Sequence, residues 1–154
     1  MRFLCDHMLG TLAKWLRFLG NDVAYAGPGG DNDVKSLVEK EGTVLLTRDR
    51  ELAGRVAGSL CVTSDDLDLQ LVQVLRAFHL PAELSMARCS VCNAPLVTVP
   101  KDQVRGKVPE GVFDRQPEFW RCDACGRHYW RGSHWANMET RLHGIREKTA
   151  APPS

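Results

Sequence analysis

The chain has 154 residues, 44% hydrophobic and 25% charged, which suits one ordinary domain or a compact domain with a small appendage. No run approaches the roughly 20 apolar residues of a membrane span, and MRFLCDHMLG lacks the segments of a signal peptide, so a cytoplasmic protein without a membrane partner is expected. The net charge of +1 hides an asymmetry: residues 1–87 carry 9 basic against 12 acidic residues, and residues 88–154 carry 11 against 7. An acidic half suited to cations precedes a basic half suited to a polyanion.

In chain order, Arg2–Cys5 reads as a short buried strand ending at Asp6. Leu9, Leu12, Leu16 and Leu19 then recur on one face of an amphipathic helix, which Gly20 and Asn21 stop. Residues 23–25 form a second strand, and 27–30 a Gly/Pro loop. Asp31 or Asn32 can cap a second helix, with Val34, Leu37, Val38 and the stem of Glu41 toward the core. A third strand over 43–46 delivers Thr47-Arg48-Asp49-Arg50, a short helix covers 51–57, and a fourth strand covers 60–63. Ser64 is expected to cap a longer helix with Leu67, Leu71, Val74, Leu75 and Phe78 on one face and Asp65 and Asp66 in its first turn. Strands alternating with helices at this spacing predict a parallel sheet covered on both faces. Ligands of such sheets bind beyond the carboxyl ends of the strands, where Asp6, Asp49 and the Asp65/Asp66 pair fall.

After Pro81 the pattern changes to short strands and turns around four cysteines, with a final amphipathic helix from near His134 carrying Trp135, Met138, Leu142 and Ile145. Residues 148–154 read as a disordered tail. Cys5 and Cys61 sit singly in apolar runs, as small buried hydrophobes do. Cys89/Cys92 and Cys122/Cys125 form two CxxC pairs separated by 29 residues. Two such knuckles complete a tetrahedron of thiolates with no open position, which predicts a structural zinc. The gap leaves room for a hairpin with an inserted loop at 101–116, and Gly126 fits a knuckle turn with positive φ. His128 and His134 are read as polar surface groups or as facing the polyanion.

Several carboxylates converging on hard cations are what metal-assisted phosphodiester hydrolysis needs. The candidates are Asp6, Asp31 (or Asp33), Asp49, and Asp65 or Asp66. Asp31, Asp65 and Asp66 also have ordinary readings as cap or first-turn residues. Asp6 and Asp49, at the ends of buried strands, must be solvated, paired or metal-bound.

The stretch Asp6-His7-Met8-Leu9-Gly10-Thr11-Leu12-Ala13-Lys14-Trp15-Leu16-Arg17-Phe18-Leu19-Gly20 resembles the D-x-x-L-G-x-L-A-x-W-L-R-x-L-G signature of the Mut-seven C-terminal ribonuclease-domain family, which is PIN-like. The resemblance continues in order through Asp31, Leu45-Leu46-Thr47-Arg48-Asp49-Arg50, Arg88-Cys89-x-x-Cys92-Asn93, Cys122-x-x-Cys125-Gly126 and Tyr129-Trp130-x-Gly132-Ser133-His134-Trp135. It implies an α/β fold: a PIN-like parallel-sheet three-layer sandwich, strand 1 near the sheet centre, with a C-terminal four-cysteine zinc ribbon and terminal helix. The expected division is 1–84 for the nuclease domain, 85–146 for ribbon and helix, and 147–154 for the tail. The resemblance also implies Mg- or Mn-dependent cleavage of RNA, with Asp6, Asp31 and Asp49 as metal-binding catalytic acids and Asp65 or Asp66 as the fourth.

For RNA contact, Lys14 and Arg17 share a helix face away from the leucines, and Arg48 and Arg50 flank Asp49. Arg121, Arg127 and Arg131 interleave with Trp120, His128, Tyr129 and Trp130, a pattern suited to phosphate contact and base stacking. Trp120, Trp130 and Trp135 equally suit a small core between ribbon and final helix. The expected function is a metal-dependent ribonuclease whose zinc ribbon assists RNA binding. The competing expectations are a non-catalytic RNA-binding or ribosome-associated module and a zinc-stabilised interaction domain.

Overall fold

The computed structural model describes residues 1–26 and 31–152, the side chains of 31–33, 40 and 41 excepted. The expected loop at 27–30 and the core role of the Glu41 stem lie outside the described residues. Four parallel strands, β1 (Arg2–Cys5), β2 (Asp22–Tyr25), β3 (Val44–Thr47) and β4 (Leu60–Cys61), pair in the order β2-β1-β3-β4. Strand β1 is thus interior, as expected, and its carboxyl end delivers Asp6 between the ends of β2 and β3.

Helices cover both faces of this sheet. On one side α1 (Gly10–Phe18) buries Leu12 and Leu16, with Leu9 just ahead of it and Leu19 just behind. Gly20 (φ 89°) then reverses the chain in a conformation that glycine reaches without Cβ strain. The same layer holds α4 (Leu67–Phe78) and α6 (Ser133–Ala150), whose Met138, Leu142 and Ile145 share a core with Phe3, Leu16, Leu71 and Leu75. On the other side α2 (Asp31–Glu41) and α3 (Arg50–Arg55) supply Val34, Val38 and Leu52 over Leu4 and Leu45. Leu37, expected in this core, is exposed, because the helix meets the sheet only along the i, i+4 line of Val34 and Val38.

A second sheet is antiparallel, ordered β5-β6-β7, from β5 (Leu96–Val99), β6 (Phe119–Cys122) and β7 (His128–Tyr129). The expected inserted loop is helical instead: a 3-10 turn over Lys101–Val104 and α5 (Glu110–Arg115). Its Val104, Val108, Val112 and Phe113 pack with Val99, Phe119 and Trp130, so the small sheet has an apolar core of its own. The terminal helix was grouped with this sheet from sequence, but its buried face belongs to the core of the parallel sheet. It also runs farther than expected: 148–150 are helical, and the Arg76 guanidinium donates to the carbonyls of Lys148, Thr149 and Ala151.

The two sheets are joined at the open edge of β2. Arg17, expected to face solvent, is 7% exposed and sits against the Cys89–Cys92 knuckle. Its Nε donates to the Val23 carbonyl at 2.9 Å, and its Nη1 donates to the carbonyls of Ser90 (3.1 Å) and Val91 (3.0 Å). Asn93 completes the joint. Its Oδ1 accepts from the Val23 N–H at 3.0 Å and its Nδ2 donates to Asp22 Oδ1 at 2.7 Å. Burial alone would raise the Asp22 carboxyl, but Asn93, Arg88 and Arg2 outweigh it and hold it below the usual carboxylate range. Both outward backbone groups of Val23 are thereby satisfied, and the exposed edge is closed to other strands.

Arg17→Ala should lower the unfolding free energy by about 3 kcal/mol, because two buried carbonyls and a part-buried one lose a charged donor. Arg17→Lys should recover less than half, since one ammonium cannot reproduce the planar fork. Urea unfolding of the full chain measures both; a loss below about 1 kcal/mol in Arg17→Ala would refute the role of this joint.

Candidate functional site

The acidic edge is built around one hydroxyl. Asp6 follows β1 and is 4% exposed. Its Oδ1 accepts from the Met8 N–H at 3.1 Å, and its Oδ2 accepts from the Thr47 hydroxyl. The same Thr47 oxygen accepts the Asp49 N–H at 3.0 Å. Asp49 caps α3, its Oδ1 accepting from the N–H groups of Glu51 (3.0 Å) and Leu52 (3.1 Å). The fully buried Thr47 therefore ties the ends of β1 and β3 together. Each Asp6 oxygen has one protein partner and a second lone pair, and among the described residues Asp49 Oδ2 has none. Oxygen donors with spare lone pairs suit a hard divalent cation.

The other acids are placed less closely. Asp31 and Asp33 lie in the first turn of α2, and their side chains are outside the described residues. Asp65 and Asp66 follow β4 and are exposed. The cap of α4 is Asp66, whose Oδ1 accepts the Leu69 N–H at 3.0 Å, and not Ser64; the acid in the first turn is Asp68. Ser64 instead accepts the Asp66 N–H. Asp65 makes no hydrogen bond among the described residues, so it is the freer of the pair.

The four cysteines come together. Cys89, Cys92, Cys122 and Cys125 place their sulfurs within 4.8 Å of one another, and they could hold a metal ion. The pairs Cys89–Cys125 and Cys92–Cys122 are 3.7 Å and 3.3 Å apart, far beyond a disulfide bond. Thiolates about 2.3 Å from a tetrahedral zinc lie about 3.8 Å apart, so the cluster has the right size. Both knuckles turn alike, with left-handed residues directly after them: Asn93 (φ 70°) and the anticipated Gly126 (φ 79°). Burial opposes ionisation of the Cys89 thiol, but the Tyr129 hydroxyl at 2.9 Å and the backbone N–H groups of Cys92 and Val91 lower its pKa to about 6. Among the described residues no acidic cluster of this closeness occurs. Cys5 is the buried hydrophobe expected, its thiol pushed up to about 12 by burial and then by Asp6, while Cys61 is half-buried.

The basic candidates separate into three groups. Arg17 is withdrawn from RNA contact by its burial. Arg121 is tied to Asp123 at 2.7 Å, and Arg48 is half-buried with its Nε lacking a hydrogen-bond partner. Lys14, Arg50, Arg127 and Arg131 are exposed, the Arg131 guanidinium lying 5.0 Å from the Trp120 ring and 5.5 Å from the Trp135 ring. Trp120 is buried in the small sheet, Trp130 packs on that sheet's core, and Trp135 packs on the larger core. Thr47 was not singled out from sequence. Its signal is a hydroxyl at the end of a buried strand, two residues before an acid, where it can accept that acid's N–H.

A family model for the Mut7-C RNAse domain matches residues 1–142. The human protein named exonuclease mut-7 homolog is 31% identical over 101 residues, which are 60% of this chain and 12% of that protein. The chain thus corresponds to a small part of that relative. No solved structure matches. Among the described residues no helix is long and apolar enough to cross a membrane.

Thr47→Val keeps the shape of the side chain and removes the shared hydroxyl. It should cost about 1–3 kcal/mol in urea unfolding, because buried Asp6 loses a donor and the Asp49 N–H loses its acceptor. A variant as stable as the parent would show that the two strand ends are held independently.

Proposed function

This chain belongs to the Mut7-C RNAse domain family, and from that premise we propose that it is a metal-dependent ribonuclease, PIN-like in type, that hydrolyses RNA at the acidic edge. The observation that carries this reading is the linkage of Asp6 to Asp49 through Thr47 at the carboxyl end of the parallel sheet. A protein that only binds RNA gains nothing from paired acids facing a polyanion.

In this reading Asp6, Asp31 and Asp49 hold Mg or Mn, and Asp65 is the fourth acid. Held by these acids, such a cation would supply activation of the attacking water and charge stabilisation at the leaving oxygen. Thr47 keeps Asp6 in one rotamer. The amino terminus of α3 does the same for Asp49, and it presents Arg50 beside the acids. Arg48 stands at the same edge but is half-buried, its Nε enclosed without a partner, so Arg50 is the exposed cation for a phosphate there.

The four cysteines hold a structural zinc, since four thiolates leave no open coordination position. The sheet they close assists RNA binding through Arg127 and Arg131, with Lys14 contributed from α1 and Arg121 in a lesser part because Asp123 pairs with it. We divide the chain into a nuclease unit of 1–84 carrying α6 on its core, and a ribbon between them. Free cysteines suit a reducing compartment, and we place the protein in the cytoplasm.

Asp6→Asn and Asp49→Asn should each lower Mn²⁺-dependent cleavage of a single-stranded RNA by about 100-fold or more, since loss of an outer-shell partner alone costs 10–100-fold. The double variant should be scarcely worse than either single one, as groups serving one cluster are non-additive. Rates are compared at equal folded protein, and the product ends are sequenced to separate terminal from internal cleavage. Parent-like rates in either single variant would refute the assignment. Elemental analysis of the purified protein should find about one zinc per chain. Chelation should unfold the ribbon first, because so small a sheet depends on its metal. A zinc-free protein with an intact ribbon would overturn this.

A further inference from the structure

A cleft of about 920 Å³ opens between α1, the cysteine knuckles, the helical insertion and the start of α6. Its volume is at the large end of the range for small-molecule pockets. No Asp or Glu lines it, while Lys14, Lys107, Arg115, Arg127 and Arg131 all do. None of these five is paired with a carboxylate among the described residues. A sixth cation, Arg88, is already engaged by Asp22 at 3.7 Å and by the Asn93 carbonyl. His128 on the same wall lies below the ordinary histidine range, through burial first and then through Lys107 and Arg121.

Rings lie between the charges. Tyr129 and Trp130 are half-buried on the wall, with Trp135 and His134 beside them. Arg131 is held over Trp135, so its guanidinium is positioned before any ligand arrives. Gly132 lets the wall approach closely, since a Cβ there would come within 2.8 Å of Trp130 Nε1. Unpaired cations alternating with accessible ring faces are what an unpaired strand meets: phosphates on the former, bases on the latter. A duplex hides its bases and is too wide for this volume.

We propose that this cleft is the binding channel for a single-stranded RNA segment. Lys107 and Arg115 of the insertion form one bank and Lys14 of α1 the other. The proposal rests on the ribonuclease reading above and deepens it by placing the grip on the substrate away from the acids that cut it. Lys14 lies one turn, about 6 Å, along α1 from Gly10, and the chain entering that helix carries Asp6. A strand seated in the cleft therefore leaves past Lys14 toward the acidic edge.

The test is fluorescence anisotropy of a labelled 12-nucleotide oligouridylate on the zinc-loaded full chain, with no Mg²⁺ or Mn²⁺ added, so that binding is read without cleavage. The double variant Lys107→Glu/Arg127→Glu should bind about tenfold or more weakly, with a salt slope shallower by about 1.4, or 0.7 per lost phosphate contact. Lys35→Glu/Lys148→Glu, the same net charge change made outside the cleft on exposed helix positions, should bind as the parent does. Equal losses in cleft and control variants, no loss in the cleft variant, or a parent that prefers a 12-base-pair duplex would each overturn the proposal. A second measurement does not depend on the variant folding. Photocrosslinking of 4-thiouridine RNA to the parent should label peptides containing Tyr129, Trp130 or Trp135, and labelling confined elsewhere would overturn it. The two readings fail separately. Cleft binding without cleavage in Mn²⁺ sinks the ribonuclease reading alone, and cleavage with unchanged affinity in the cleft variant sinks this one alone.

Discussion

The constraint from which the rest follows is the burial of Arg17. A guanidinium taken out of water is costly unless its donors are met, and here they meet backbone carbonyls of β2 and of the Cys89–Cys92 knuckle. Burial pulls its pKa downward, while the neighbouring cysteines, when ionised, and the Asp22 carboxylate act the other way. In the zinc-bound state proposed above, four thiolates on a divalent cation would leave a charge of about −2, and Arg17 is the cation packed beside them. One side chain thus answers three needs. It satisfies the knuckle's carbonyls, helps close the edge of β2, and would offset the charge of the metal centre.

Because that joint is rigid, the surfaces on either side of it acquire a fixed relation. The cleft has one wall on α1 and another on the ribbon and its insertion, so it exists only while the knuckle stays docked. The return of α6 strengthens the same relation. It leaves the ribbon directly after β7 and buries Met138, Leu142 and Ile145 against the larger core, and Arg141 reaches Asp68 of α4 at 2.6 Å. The ribbon is consequently held at both ends, by Arg17 and Asn93 where the chain enters and by α6 where it leaves.

Where a single periodicity decided the outcome, the sequence was sufficient. The leucine stripe of α1, the strand ending at Asp6 and the two CxxC knuckles were all legible, because each signal is local. What escaped was whatever depends on the partner of a polar group. Arg17 sits off the leucine stripe, and a polar helix face looks the same whether it meets water or another segment's carbonyls. Leu37 was misplaced because an apolar residue at helical spacing says nothing about how wide the contact is. The insertion at 101–116 has too short an apolar pattern to show as helix, and only Phe119 and Val99 beneath it make Val104 and Val112 a core. In the acidic edge, Asp6 and Asp49 were visible as strand-end acids. Their connection was not, since it passes through Thr47, a residue that a strand accepts for its β-branching alone.

The arrangement also separates two demands that conflict when placed together. Carboxylates gathered to hold a cation repel the phosphates they are meant to receive, and a site with enough positive charge to draw RNA in would weaken the hold on that cation. Here the acids lie at the carboxyl ends of β1, β3 and β4, while the unpaired cations line a cleft that contains no carboxylate. Arg50 is the exposed cation beside the acids, and the other exposed candidates, Lys14, Arg127 and Arg131, lie in the cleft. The cost of separation is that the two must be kept in register, and that is the task of the joint between them. If the cysteine centre holds zinc as proposed, its removal would loosen the knuckle carrying Ser90 and Val91, take two of its three acceptors from Arg17, and shift the wall bearing Arg127 relative to Lys14. In the reading proposed above, a metal with no part in hydrolysis would then govern how well RNA reaches the acidic edge.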